Sequence, residues 1–142
     1  MKITHISKIT KDKFDILIAK YNFFIKIYED YELVIENSNI SIRFGTFSRE
    51  NGATLVVTAK ESNDRFYLIN IALQKGILLN KYSTYMDKKE VKDMYILDGT
   101  TEGIFYCMLA IIEKYCDDII AGDFSIMYGE NSEFIYGMHR FK

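Results

Sequence analysis

The stretch from residue 23 to residue 73 alternates apolar and polar residues in short runs, which turn-forming residues separate. Such alternation places successive side chains on opposite faces of an extended chain, so each run predicts a β-strand with one buried face. The Asn51-Gly52 pair is typical of a tight turn between two strands. We therefore predict an antiparallel meander with strands at residues 23–28, 31–36, 40–45, 53–60 and 65–73.

Two other segments repeat their apolar residues with the period of an α-helix. In residues 11–21 the apolar side chains fall at i, i+3, i+4 and i+7, and Thr10 is a candidate N-terminal cap. Residues 101–120 carry a broader apolar stripe, with Thr100 or Thr101 as the cap and Gly122 where a C-terminal glycine is expected. Helices with such stripes are expected to lie across a sheet.

These elements predict an α+β fold, with residues 1–142 as one domain. Its antiparallel β-meander sheet carries the two main helices on one face. A chain of 142 residues is long enough to bury one substantial core. The residues that we expect in this core are Leu33, Ile35, Ile42, Leu55, Val57, Leu68, Ile104, Met108 and Ile111.

The pattern leaves two regions open. Residues 77–79 fit either the end of a strand or the start of a helix, and residues 87–94 have helical propensity with only a narrow apolar stripe. Residues 124–139 fit a hairpin that turns at residues 130–131, and a short helix from Ser132 is the competing interpretation.

Composition narrows the class of protein. Hydrophobic residues make up 49% of the chain, which argues against disorder, and the net charge is −2. Nucleic-acid-binding proteins normally have a basic excess, so we expect no nucleic acid partner. We also find no run of transmembrane length and no secretory signal pattern, and we expect a cytoplasmic protein with no membrane association.

Side chains that perform catalysis are scarce. The two histidines, His5 and His139, lie at opposite ends of the chain, and the two cysteines fall on opposite sides of one predicted helix. No spacing matches a metal site, a phosphate-binding loop or a nucleophile–base pair. We therefore expect no catalytic residues, no metal and no cofactor. The alternative left open is a small enzyme or ligand-binding domain that uses Glu113, Asp117 or His139 in a helix–sheet cleft.

Two groups of side chains are candidates for contact with a protein partner. The first is acidic and would suit a partner with a basic surface; its members are Glu113, Asp117, Asp118 and Asp123. Acidic residues at positions 29–36 are its alternative. The second group is Tyr82, Tyr85 and Met86, residue types that interfaces favour. The competing interpretation is a solvated helix face for the acidic group and a small satellite core for the second group.

The helix–meander–helix layout resembles that of small bacterial immunity proteins. Residues 31–43 (YELVIENSNISIR), 53–58 (ATLVVT) and 66–71 (FYLINI) carry the resemblance, which covers the first half of the chain. Immunity proteins neutralise toxins of contact-dependent growth inhibition and other polymorphic systems. The resemblance implies a single-domain cytoplasmic protein that binds a cognate toxin directly and occludes it. No individual binding residue carries over from it.

Overall fold

The computed structural model describes residues 1–9, 11–79, 92–97 and 99–128. Five strands form an antiparallel sheet whose spatial order follows the chain order, which confirms the predicted meander. These strands are β1 Phe24–Tyr28, β2 Glu32–Glu36, β3 Ile40–Thr46, β4 Ala53–Ala59 and β5 Arg65–Tyr67. A separate pair, β6 Ile77–Leu79 and β7 Asp93–Tyr95, is parallel.

One face of the five-stranded sheet is buried because apolar residues of neighbouring strands lie opposite one another. Leu33 pairs with Phe44, and Ile42 pairs with Val57. All four side chains are at most 2% exposed. We call this the inner face of the sheet. The outer face carries the alternate positions of each strand, such as Arg43 of β3.

Helices cover the inner face, as predicted. The helices are α1 Ile3–Ile9, α2 Lys11–Tyr21, α3 Leu68–Gln74, α4 Thr101–Tyr115 and α5 Asp117–Ile120, and a 3-10 turn follows at Ser125–Met127. Three rings join the layers: Phe44 lies 6.1 Å from Phe14 of α2 and 5.2 Å from Phe105 of α4, between ring centroids. None of the described helices is long and apolar enough to cross a membrane.

The strand predicted at residues 65–73 is wrong beyond Tyr67, where the chain turns into α3. Leu68, Ile71 and Ala72 fall at i, i+3 and i+4 and are all buried. Their helical spacing lets α3 bury one side against β4 and α4. The aromatic and β-branched residues of this segment favour a strand locally, but packing against the rest of the fold decides the outcome.

The helix predicted at residues 101–120 is interrupted at Cys116, whose φ of −111° and ψ of 24° separate α4 from α5. Thr100 is the N-terminal cap, since its hydroxyl accepts the Gly103 N–H at 3.1 Å. The Thr101 hydroxyl instead accepts the Gly52 N–H at 3.0 Å, which fastens the β3–β4 loop to α4. Gly122 follows α5 with a φ of 92°, in line with its predicted role.

The two open regions are partly settled. Residues 77–79 form β6. Residues 93–94 belong to β7, so the helix that the propensity of residues 87–94 favours does not form at those two positions. Residues 125–127 form a 3-10 turn where a hairpin strand was predicted, because the chain there bonds back locally: the Met127 N–H donates to the Phe124 carbonyl at 2.9 Å. Residues 87–91 and 129–139 of these predictions, and the Thr10 cap, lie outside the described residues.

The predicted core is largely confirmed. Seven of its nine residues belong to one cluster of buried side chains, and Ile104 is also buried. Met108 is the exception: it is half-buried and packs at the margin of that cluster. Met108 also helps to line a cavity between α4 and the sheet.

Candidate functional site

Helices α4 and α5 carry three of the four acidic residues predicted to contact a partner. Side chains of α2 contact two of these three. The Glu113 carboxylate lies 4.0 Å from Nζ of Lys13. Asp117 accepts a hydrogen bond from the hydroxyl of Tyr21. These contacts join α2 to α4 and α5, so both carboxylates already have a role inside the fold.

Asp118 is the third acidic residue on these helices, and it forms an ion pair with Lys75. The Lys75 ammonium donates to both carboxylate oxygens, at 2.7 and 2.8 Å, and its side chain is only 14% exposed. Asp123 bonds locally: it accepts the Ser125 N–H at 3.0 Å, and this hydrogen bond lowers the pKa of its carboxyl. The four carboxylates therefore do not make one open acidic patch.

The Asp118→Asn variant is expected to lose about 1–2 kcal/mol of unfolding free energy, because it leaves the Lys75 ammonium without a charged partner. Solvent screening at Asp118, which is 35% exposed, keeps the loss below that of a fully buried pair. Urea denaturation measures the loss. Glu61→Gln removes the same charge at an exposed position and should change stability by less than about 0.5 kcal/mol. Equal effects of the two changes would contradict the ion pair's role.

In the alternative acidic group, at residues 29–36, three of the four carboxylates form ion pairs. Its ion pairs are Asp30–Lys2 at 3.6 Å, Glu32–Arg43 at 3.4 Å, Glu36–Lys26 at 3.3 Å and Glu36–Lys60 at 3.2 Å. The other candidate contact residues, Tyr82, Tyr85 and Met86, lie outside the described residues, as does His139. The prediction of an acidic or tyrosine-based contact therefore stays a prediction.

Strand β1 exposes three large apolar side chains. It pairs with β2 on one side and ends the sheet on the other, within the part of the chain that the structure describes. Phe24, Ile25 and Tyr28 are 55%, 50% and 48% exposed. We call the residues Phe24–Tyr28 the β1 edge.

The outer face beside the β1 edge carries a small cluster of charges. Phe24 lies opposite Glu36 in the β1–β2 pair, and the ammonium of Lys60 sits 5.9 Å from the centroid of the Phe24 ring. Lys26 and Lys60 share the single carboxylate of Glu36. Two lysines against one glutamate leave this end of the sheet with a net positive charge.

The pKa of Glu36 lies below its ordinary value of 4.5, because hydrogen bonds from Lys60, Lys26 and Ser41 outweigh the opposing effect of burial. A lowered pKa means that ionised Glu36 stabilises the fold above that ordinary value, and that this stability is lost as the pH falls through the folded-state pKa. As the pH falls below that ordinary value, wild type should therefore lose more unfolding free energy than Glu36→Gln. Parallel urea-denaturation profiles for the two proteins would contradict this prediction.

A cavity of about 280 Å³ lies between α4 and the sheet. Its wall includes Leu55 of β4, Ile69 of α3, Leu79 of β6, and Met108 and Ile111 of α4. Among the described residues, none that lines the cavity carries a charged side chain. The helix–sheet cleft of the enzyme hypothesis thus exists, but Glu113 and Asp117 do not line it.

The two cysteines are both thiols and differ in environment. Cys116 is 1% exposed, and burial raises the pKa of its thiol to about 12. Cys107 is half-buried and lines the cavity. No cluster of three or more metal-binding side chains occurs within the described ranges.

Native protein at pH 8 should react with a chromogenic disulfide reagent at about one thiol, and denatured protein at about two, because the thiolate is the reacting form. The fast reaction should disappear in Cys107→Ser and persist in Cys116→Ser. Rapid reaction of two thiols in the native protein would contradict the burial of Cys116.

Reasoning from sequence missed the two features that now stand out, the β1 edge and the cavity. The first strand of a meander is an edge strand unless a later strand joins it, and β1 is apolar at both odd and even positions; together these signals point to the edge. The cavity has no comparable sequence signal. No protein-family model, curated protein sequence or solved structure matches the chain.

Proposed function

We propose that the chain is a protein-binding module that uses the β1 edge, and that its partner is a bacterial toxin that it neutralises by direct binding and occlusion. The observation that carries the proposal is the combination of an edge position in the described sheet with three large apolar side chains, each about half exposed. Both features are what a second strand requires from the surface it joins.

The backbone supplies the first requirement. An edge strand presents N–H and C=O groups that pair readily with another extended chain, and proteins usually blunt such edges with charges and bulges. The β1 edge has a bulge between Ile25 and Ile27 and one charge, Lys26. In strand addition, main-chain hydrogen bonds give affinity and side-chain contacts give specificity. Phe24 and Tyr28 are the rings placed to make those contacts.

The charge at Lys26 favours a different chain over a second copy. Antiparallel pairing of two β1 strands centred on Lys26 would set the two ammonium groups side by side. Like charges directly opposite each other destabilise a strand pair. We expect the partner strand to bring a carboxylate opposite Lys26 and apolar residues on both sides of it.

The resemblance of the layout to immunity proteins supports the toxin as partner. Occlusion suits this chain because it requires a surface and no catalytic group. A strand added at β1 would extend the sheet into the partner and cover the surface next to it. The basic surface predicted for the toxin would have to lie away from this contact, because the charge beside the β1 edge is net positive.

Affinity capture from the source cell, followed by co-expression with the captured protein, tests the proposal. The wild-type chain should bind one partner and restore growth of cells that express it. The Phe24→Asp/Tyr28→Asp variant should bind at least about 30-fold more weakly, as expected when central aromatic contacts are lost, and should not protect. Ile16→Asp is the matched control, because Ile16 is 50% exposed on α2.

Hydrogen exchange gives a second measurement, because the outward-facing β1 amides should exchange more slowly in the complex. Binding of equal strength by the edge variant and wild type would refute the β1 edge as the contact. A captured partner that does not inhibit growth would refute the toxin assignment. A stable dimer of the isolated chain that the edge variant abolishes would show that the edge serves self-association instead.

A further inference from the structure

We propose that the cavity between α4 and the sheet binds a small, uncharged, apolar molecule of roughly ten carbon atoms. The cavity and the β1 edge share no residues, so this binding and the capture of a protein partner can each hold without the other. The ligand class follows from the size of the cavity, the chemistry of its wall and its access to solvent.

Size gives the first argument. Protein interiors are packed like organic crystals and contain few voids larger than a water molecule. The cavity measures about 280 Å³. An engineered apolar cavity of about 150 Å³ stays dry and binds benzene, which has six carbon atoms. A cavity of nearly twice that volume accommodates a compact hydrophobe of roughly ten to twelve carbon atoms.

Wall chemistry gives the second argument. Leu55, Leu79 and Ile111 are apolar and buried, and Met108 adds a flexible thioether side chain that can adapt to different shapes. A charged ligand would lose its hydration here without gaining an oppositely charged side chain from the described wall, which is costly. An uncharged ligand avoids this cost.

The cavity's position allows a ligand to enter from solvent. Its wall extends to Tyr67, which is 53% exposed at the end of β5, and to the exposed Thr54 of β4. Cys107 is half-buried on the helix side. A small molecule therefore reaches the apolar wall without disrupting the buried core cluster.

Titration with three probes tests the ligand class. We expect 1-naphthol and 1-decanol to raise the melting temperature as their concentration increases, because each binds the folded state. Decanoate has the same chain length as decanol and carries a charge at neutral pH. It should bind at least about tenfold more weakly. No binding by either uncharged probe, or equal binding of decanol and decanoate, would overturn the proposal.

Two tryptophan variants locate the binding. Met108→Trp places an indole at the cavity wall and should weaken probe binding at least about tenfold, because the ring occupies the space. Tyr106→Trp changes a half-exposed neighbour on α4 that does not line the cavity, and it should bind like wild type. Equal binding by both variants would show adsorption elsewhere and would refute the site.

Cys107 provides a test in unmodified protein, which holds even if Met108→Trp does not fold. Probe in the cavity should slow thiol labelling of Cys107 at least about threefold at saturation, because only the unoccupied fraction exposes that thiol. Cys116 is buried and should not contribute to the signal. A labelling rate that saturating 1-naphthol leaves unchanged would overturn the assignment.

Discussion

Replacing Phe44 with alanine is expected to lower the free energy of unfolding by about 3–5 kcal/mol, the range for truncating a buried phenylalanine. The Phe44 side chain is 0% exposed and lies between Phe14 of α2 and Phe105 of α4. Its loss would remove contacts to both helices at once and leave a cavity at the centre of the inner face. Equilibrium urea denaturation measures the effect.

Phe24→Ala is the matched control, since it removes the same atoms from the 55% exposed position on β1. We expect it to change stability by less than about 0.5 kcal/mol, as surface substitutions usually do. A loss of less than about 1 kcal/mol for Phe44→Ala would mean that the ring does not join the sheet to the helices. The Phe24 variant also serves the binding assay, where its effect should be large.

Replacing Ile6 with alanine should lower the free energy of unfolding by about 2–5 kcal/mol. Ile6 and Ile3 of α1 are both 0% exposed, and α1 contacts β3 and α4. A seven-residue helix has little stability of its own, so its packing must hold it in place. Loss of Ile6 should therefore loosen the whole of α1, which hydrogen exchange at its amides would report.

Ile16→Ala provides the comparison for Ile6→Ala, because Ile16 is 50% exposed on α2. Its expected cost is below about 1 kcal/mol. Should Ile6→Ala prove no more costly than Ile16→Ala, α1 would not belong to the core.

The sheet and α2 could be predicted because local pattern and tertiary packing agree there. Alternation in β3 and β4 matches the buried inner face, and α2 begins and ends at the predicted residues. In α1 and α3 the local pattern and the tertiary packing disagree. Isoleucine and threonine have low helix propensity, and α1 is too short to show a periodic stripe. Only burial against distant elements makes these segments helical.

The candidate site was hard to predict because its residues contact partners that are distant in the sequence. The acidic residues of α4 and α5 look solvated in the sequence, but Lys75 lies 43 positions before its partner Asp118. Nothing local indicates that pair. The β1 edge depends on the order of the strands, and the cavity depends on five helices and strands that leave a gap between them. Residue types could therefore be predicted better than the contacts they make.

The order of the sheet has a consequence for synthesis on the ribosome. Each strand pairs with one made just before it, so the sheet can form as the chain emerges, up to Tyr67 at the end of β5. Helix α4 ends at Tyr115 and emerges between roughly 2 and 10 s later at ordinary elongation rates. Until then, Phe44 lacks the cover that Phe105 of this helix provides. The nascent chain thus passes through an interval of seconds in which a chaperone can bind part of its apolar sheet.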